Sequence, residues 1–172
     1  SKALPVATFP DFVEYAKKNP SKVNYGTLGI GAPSHVLADR LQVAAKFAWQ
    51  EVSYKGAAPA VQAVMSNDVQ GYFTTQSSAM SLLDSDKVRA IAIAATERGE
   101  FLPTVPTFKE LGYEGIVDRG WYAVVVRTST PSAIVERLRE ASTQVVNSAE
   151  MRAHQKALGL SASKVMIADF KT

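Results

Sequence analysis

The stretch "VNYGTLGIGAPSHVLADRL", residues 23–41, decides the fold because it joins a strand pattern to a helix pattern through a glycine-rich turn. A short apolar run leads into Gly26, Gly29 and Gly31. Pro33 then suits the first turn of a helix, where its missing N–H costs no hydrogen bond. Apolar residues continue beyond it at helical spacing. Glycines this dense indicate that the backbone comes close to another group, either a ligand or a neighbouring strand.

The same order of short strand, small-residue turn and helix occurs twice more. It appears in "WQEVSYKGAAPAVQAVMSND", residues 49–68, and in "VQGYFTTQSSAMSLLDSD", residues 69–86. Strands that alternate with helices predict an α/β fold with a mainly parallel sheet and helices on both faces. Apolar runs over residues 88–96 and 121–128 predict a fourth and a fifth strand, so the expected sheet has five.

Further helices are predicted outside these three units. The pattern of residues 9–20 indicates a helix that precedes the first strand, and residues 107–111 indicate a short helix within a long connection. Two C-terminal helices are predicted over residues 130–148 and 149–159, the second closed by Gly159.

Composition excludes several classes of function. The chain has 172 residues, no cysteine and a formal charge of +3. Its basic residues are scattered singly, so no nucleic-acid partner is expected. Two distant histidines, His35 and His154, predict no metal site, and no apolar run is long enough to cross a membrane. The opening residues show no export signal, so the protein is either cytosolic or its sequence here begins downstream of one.

The three turns are the candidate binding site. In a parallel sheet they lie at the carboxyl ends of the strands, where open α/β sheets bind ligands. Helix starts leave N–H groups without partners and carry partial positive charge, which favours a small anion such as a carboxylate. The candidate residues, turn by turn, are Thr27, Gly29, Ile30, Gly31, Ser34 and His35; Tyr54, Lys55, Gly56 and Ala57; and Thr74 and Thr75.

Plainer interpretations of these turns stay open at this point. The glycines are also explained by a tight turn alone, and Lys55 by a solvated surface charge. The Ser and Thr residues of 74–78 are also explained by helix capping. His35 is explained by packing or capping in the first turn of its helix.

Enzymatic motifs are incomplete. The dinucleotide-binding fingerprint fails because Ser34 stands where its third glycine belongs, and the phosphate-binding loop fails because Ala32 replaces its lysine. Ser34 and His35 are not a catalytic dyad, because adjacent helical residues point about 100° apart. We therefore predict a binding protein that has neither catalytic residues nor a cofactor.

Four segments together resemble the Bug family, the periplasmic solute receptors of tripartite tricarboxylate transporters. They are "VNYGTLGIGAPSHVLADRL", "VSYKGAAPAVQAVMSNDVQGYF", "VRAIAIAATERGEFLPTVPTFKELGYEG" and "GWYAVVVRTSTPSAIVERL". The combination of "YKGAAPA" with "LPTVPTFKELGY" is the most specific part. The resemblance implies a periplasmic-binding-protein type II fold, no enzymatic activity, a small carboxylate ligand bound between two lobes, a membrane permease as partner and a periplasmic location.

The resemblance also implies a domain organisation. Residues 1–126 correspond to lobe two of such a receptor. Residues 127–172 correspond to a returning helical segment that packs on lobe one, of which the first half lies outside this sequence. Apolar faces around Ile134, Leu138 and Val145 would then be uncovered, and self-association of the chain is expected.

Two points qualify the resemblance. Thr74 and Ser77 stand where relatives commonly carry an acidic residue and a proline, which favours a plain mono- or dicarboxylate over an amino acid. The alternative function is the effector-binding domain of a transcription regulator, which shares the fold and would be identified by a DNA-binding segment upstream. The particular ligand is not predicted.

Overall fold

The computed structural model describes residues 1–118 and 123–157. The chain divides into two compact units, Ser1–Arg119 and Gly120–Thr172, and each is described by itself.

The first unit alternates helices and strands. In chain order the elements are α1 (Phe9–Lys18), β1 (Asn24–Thr27), α2 (Pro33–Ala45), β2 (Gln50–Ser53), α3 (Ala57–Ser66), β3 (Gly71–Tyr72) and α4 (Gln76–Leu83). All strand pairs are parallel, in the order β2-β1-β3, so β1 is central. The second unit contains α5 (Ser132–Asn147) and α6 (Ala149–Ala157).

Helices cover both faces of the sheet. Tyr25 belongs to an apolar cluster that includes residues of α1 and α2. A Cβ at the next residue, Gly26, would contact Tyr72, Tyr54 and Val69, which belong to or pack on a second cluster with residues of α3 and α4. Since successive strand residues point to opposite faces, the two clusters lie on opposite sides of the sheet. The predicted α/β architecture is therefore confirmed.

Aromatic rings fill the first cluster. The Trp49 ring lies 4.6 Å from that of Tyr25 and 5.1 Å from that of Phe47, measured between centroids. Phe9 and Phe108 meet edge to face at 5.1 Å. Aromatic side chains bury large apolar areas, and these contacts anchor α1 and the segment after residue 100 to the sheet.

Local sequence explains where α1 begins. Thr8 caps the helix by accepting a hydrogen bond from the Asp11 N–H, and the Asp11 carboxylate accepts one from the Thr8 N–H at 2.9 Å. These bonds, with a further one from Ala7, lower the pKa of Asp11 because they stabilise its charged form.

The predicted fourth and fifth strands do not form within the described residues. In the apolar run 88–96, Ile93 makes a single parallel bridge to Thr107, with the Ile93 N–H donating to the Pro106 carbonyl. Residues 123–127 form no strand among the described residues, and Trp121 and Tyr122 lie outside them. Three strands are therefore present in the described part, where five were predicted.

The predicted short helix over 107–111 is a series of turns. The Glu110 carboxylate accepts the Thr107 N–H at 2.7 Å, and the Glu110 N–H donates to the Thr107 hydroxyl at 3.1 Å. Gly112 follows with a φ of +85°, which stops any helix. The helix predicted over residues 9–20, the helix predicted in each strand–turn–helix unit and the two C-terminal helices are confirmed within a few residues, whereas Gly159 lies outside the described residues.

Candidate functional site

The turns after β1, β2 and β3 lie at one edge of the sheet. Thr27, the last residue of β1, pairs with Ser53, the last residue of β2, and Gly26 pairs with Tyr72 at the end of β3. The turn after β1 is also close to β2, because a Cβ at Gly29 would lie 3.7 Å from the Ser53 hydroxyl. The parallel register therefore brings together the three turns that the sequence singled out.

The turn between β1 and α2 requires glycine at two positions. Gly29 has a φ of +111° and Gly31 a φ of +83°, both in the region that favours glycine. The Ala32 N–H donates to the Gly29 carbonyl at 3.1 Å, which closes the turn. The side chain of Ile30, between them, is 88% exposed.

The start of α2 leaves backbone donors unused. Its N-cap is Ala32, which provides no side-chain hydrogen bond. Within the part of the chain that the structure describes, the N–H groups of Ile30, Gly31, Ser34 and His35 have no acceptor. The Ser34 hydroxyl is also buried and has no hydrogen-bond partner among the described residues. Unpaired donors at a helix start, where the backbone carries partial positive charge, suit an anion.

Thr27 and Gly29 are engaged within the protein. Thr27 has no exposed surface, and its hydroxyl donates to Glu51 Oε1 at 2.5 Å. The same hydroxyl oxygen accepts the Gly29 N–H at 3.1 Å. Neither the Thr27 hydroxyl nor the Gly29 amide is therefore available to a ligand in this conformation.

Two carboxylates that were not predicted from the sequence lie beside His35. His35 Nε2 lies 3.5 Å from Asp39 Oδ2 and 3.6 Å from Glu51 Oε2. Tyr25 donates to Asp39 at 3.4 Å, and burial, together with the Asp39 and Glu51 charges, raises the pKa of Tyr25 to about 12. The four-residue spacing of His35 and Asp39 on one helix was readable in the sequence. The approach of Glu51 depends on strand register and was not.

The turn after β2 holds the second uncapped helix start. Gly56, the N-cap of α3, has a φ of +115° and donates its N–H to the Tyr54 carbonyl at 2.9 Å. The Ala57 N–H has no acceptor among the described residues. Lys55 is exposed, with no ion pair in the described part of the chain. The Tyr54 ring packs on the second apolar cluster and lies near Gly26.

The turn after β3 caps its own helix. The Thr75 hydroxyl accepts the Ser78 N–H at 3.3 Å and bonds the Ser77 and Ser78 hydroxyls. Thr74 hydrogen-bonds the Tyr72 hydroxyl, and burial raises the pKa of Tyr72. The capping interpretation of this segment therefore holds in the structure.

Residues 1–118 and 123–157 contain neither a candidate metal site nor a candidate membrane span. No group of three or more His, Asp or Glu side chains there is arranged to hold a metal ion. None of the helices described in these ranges is long and apolar enough to span a bilayer.

A parallel sheet with unused helix-start amides at its carboxyl edge is the arrangement of a ligand-binding α/β lobe. Comparison with known proteins identifies the family. Residues 1–166 match the family model of the tripartite tricarboxylate transporter family receptor, TctC, and the chain belongs to this family. The resemblance seen in the sequence is thus confirmed, and it favours a solute receptor over a transcription regulator or an enzyme.

Individual relatives agree with the family match. An Agrobacterium vitis protein, "UPF0065 protein in the TAR-I ttuE-ttuC' intergenic region", is 32% identical over 140 residues, covering 81% of this chain and 40% of the relative. The periplasmic binding protein BugD superposes with a TM-score of 0.80 at 29% identity, covering 91% of this chain and 52% of BugD.

MatC from Rhodopseudomonas palustris, solved with bound malate, superposes with a TM-score of 0.78 at 27% identity, covering 90% of this chain and 53% of MatC. The chain spans about 40% of the length of the curated relatives and about half of these solved structures.

Proposed function

We propose that this chain is the ligand-binding part of a periplasmic receptor that captures a small carboxylate for a tripartite tricarboxylate-type transporter. The observation that carries the proposal is the start of α2, where the Ser34 and His35 amides and the buried Ser34 hydroxyl lack partners among the described residues. MatC, a relative of similar fold, binds malate, which supports a carboxylate ligand. A membrane permease would be the partner that receives it.

The proposed contacts differ in kind. The amides of Ile30, Gly31, Ser34 and His35 would bind one carboxylate group directly, with the Ser34 hydroxyl as a further donor. Each such charge-assisted bond contributes about 1.5–3 kcal/mol when it is shielded from water.

The second turn would complete the site. The Ala57 amide at the uncapped start of α3 would face the same ligand, and the exposed Lys55 would add positive charge. Tyr54 and Gly56 would shape this turn, and Thr27, Thr74 and Thr75 would support it through internal hydrogen bonds rather than touch the ligand.

The domain organisation is part of the proposal. Residues 1–126 would form one lobe, and residues 127–172 would pack on a second lobe supplied by sequence beyond this chain. Ile134, Leu138 and Val145 on α5 are exposed, which agrees with a face that another part of the receptor covers. The coverage of the relatives, about half their length or less, supports this organisation.

An NMR titration of the 172-residue chain with malate tests the proposed site. We expect weak, saturable binding, with the largest amide shifts at Ile30, Gly31, Ser34 and His35, because these donors face an anion. Malamide, which lacks the carboxylate charges, serves as the control ligand and is expected to shift none of them. Malate shifts confined to other residues, or equal shifts with malamide, would contradict the proposal.

A further inference from the structure

Glu51 contacts both sides of the glycine turn without belonging to it. One carboxylate oxygen, Oε1, accepts the Thr27 hydroxyl at 2.5 Å, just before the turn. The other, Oε2, lies 3.6 Å from His35 Nε2, just after it. The Glu51 side chain is only 23% exposed, so its carboxylate is held among these partners.

The carboxylate fixes the direction of the hydrogen bonds at Thr27. A carboxylate only accepts, so the single hydroxyl proton of Thr27 must point to Glu51. The hydroxyl oxygen is then left to accept, and it accepts the Gly29 N–H at 3.1 Å. A continuous relay therefore runs from the Gly29 amide through Thr27 to Glu51.

This relay constrains which amides of the turn are left unpaired. With its N–H directed to Thr27, Gly29 has its carbonyl bonded by the Ala32 N–H at 3.1 Å. The next two amides, of Ile30 and Gly31, have no acceptor in the described part of the chain. The orientation of the anion-binding turn thus depends on a carboxylate located on a different strand.

Glu51 is nevertheless an unusual neighbour for an anion. Glu51 on β2 and Asp39 on α2 lie beside His35, and Tyr25 on β1 donates a hydrogen bond to Asp39. Two negative charges beside a carboxylate-binding turn oppose binding, so the benefit of Glu51 must come from its acceptor oxygen and not from its charge.

We propose that Glu51 is a positioning residue of the carboxylate site, acting through Thr27 to hold the Gly29–Ala32 turn with its free amides outward. The inference rests on the proposed function, because it concerns the same site.

The variants Glu51→Gln and Glu51→Met distinguish the effect of the hydrogen-bond acceptor at residue 51 from the effect of its negative charge. The side-chain amide of glutamine keeps a carbonyl oxygen that can accept the Thr27 hydroxyl, so Glu51→Gln is expected to bind malate at least as tightly as the wild type. Methionine offers no comparable acceptor, and Glu51→Met is expected to weaken malate binding about tenfold, the effect of one lost hydrogen bond. Thr27→Val should weaken binding as much, whereas Thr27→Ser should not.

Two readouts keep this inference distinct from the proposed function. Solvent exchange of the Gly29 amide, measured by NMR without ligand, should rise in Glu51→Met and Thr27→Val and stay at the wild-type value in Glu51→Gln. Malate affinity from chemical shifts should follow the same order, and the double variant Thr27→Val with Glu51→Met should be no weaker than either single variant.

The outcomes are decisive. The positioning role would be overturned if Gly29 amide exchange were unchanged in Glu51→Met. It would also be overturned if the losses of malate affinity were additive in the double variant, or equal in Glu51→Gln and Glu51→Met. Failure of malate to shift the wild-type turn would instead overturn the proposed function, while the Gly29 exchange still reports on the relay.

Discussion

At the residue scale, the need for glycine at position 31 comes from the backbone angle φ and not from a lack of space for a side chain. A Cβ at this position would meet no atom within 4 Å, so space alone would tolerate a side chain. The φ of +83°, however, is one that β-branched residues almost never adopt. A change at Gly31 therefore acts by rotating the peptide units that carry the free amides.

Gly31→Val is expected to abolish malate binding. The strain is expected to cost about 1–3 kcal/mol of stability, or to be relieved by a rotation of the turn that changes the direction of the free amides. Calorimetry on the receptor and thermal unfolding would measure the two effects.

Gly115→Val is the matched control for Gly31→Val. Gly115 has a φ of +80° and equally open surroundings, but it belongs to none of the three turns. It should lose similar stability and keep malate affinity. If Gly31→Val kept the same malate affinity as Gly115→Val, the turn would not be the site that binds the ligand.

At the element scale, the helices followed from the sequence more closely than the strands did. Proline positions, caps and helical spacing are local signals, and they located α1 to α6 within a few residues. An apolar run such as 88–96 indicates buried residues, but a strand also needs a second backbone segment with which to pair. Among the described residues, Ile93 finds that partner in a single bridge to Thr107.

The candidate site likewise has a part that could be predicted from local sequence and a part that could not. The glycine turn and the start of α2 were predictable because their signals lie within a dozen residues. The contact of Glu51 with Thr27 was not, because it depends on how β2 lies in register with β1.

Gly71, in the short strand β3, packs closely against the ring of Trp49. A Cβ at Gly71 would lie 3.0 Å from Trp49 Cζ3, closer than side chains normally pack. Gly71→Ala is therefore expected to destabilise the protein by about 1–3 kcal/mol, the usual effect of overpacking. Chemical denaturation would measure the loss.

Gly26→Ala provides the comparison on the central strand. Its Cβ would meet Tyr72 at 3.4 Å and Tyr54 at 3.5 Å, which are ordinary packing distances. The cost there should be clearly smaller. A larger loss for Gly26→Ala than for Gly71→Ala would contradict this account of the core.

At the scale of the whole molecule, the chain carries apolar surface on α5. Ile134 and Leu138 lie one turn apart on this helix and both are exposed, as is Val145. No buried residue was found in α5. The self-association expected from the sequence stays a prediction that this surface supports.

Light scattering would test self-association directly. The average mass of the wild-type chain is expected to rise with concentration, and Ile134→Glu with Leu138→Glu should suppress the rise by placing charge on the apolar face. Val43→Glu is the control, because Val43 is an exposed apolar residue on a different helix, α2. A wild-type chain that stays monomeric at every concentration would refute the prediction.

Thr27 connects the turn after β1 to the turn after β2 through hydrogen bonds. Its side chain holds Gly29 and Glu51, while its carbonyl accepts the Tyr54 N–H at 2.9 Å. We therefore expect the ligand range of such a receptor to diversify through outward side chains such as Ile30 and Lys55. Exchanging them would leave intact the backbone frame on which every version depends.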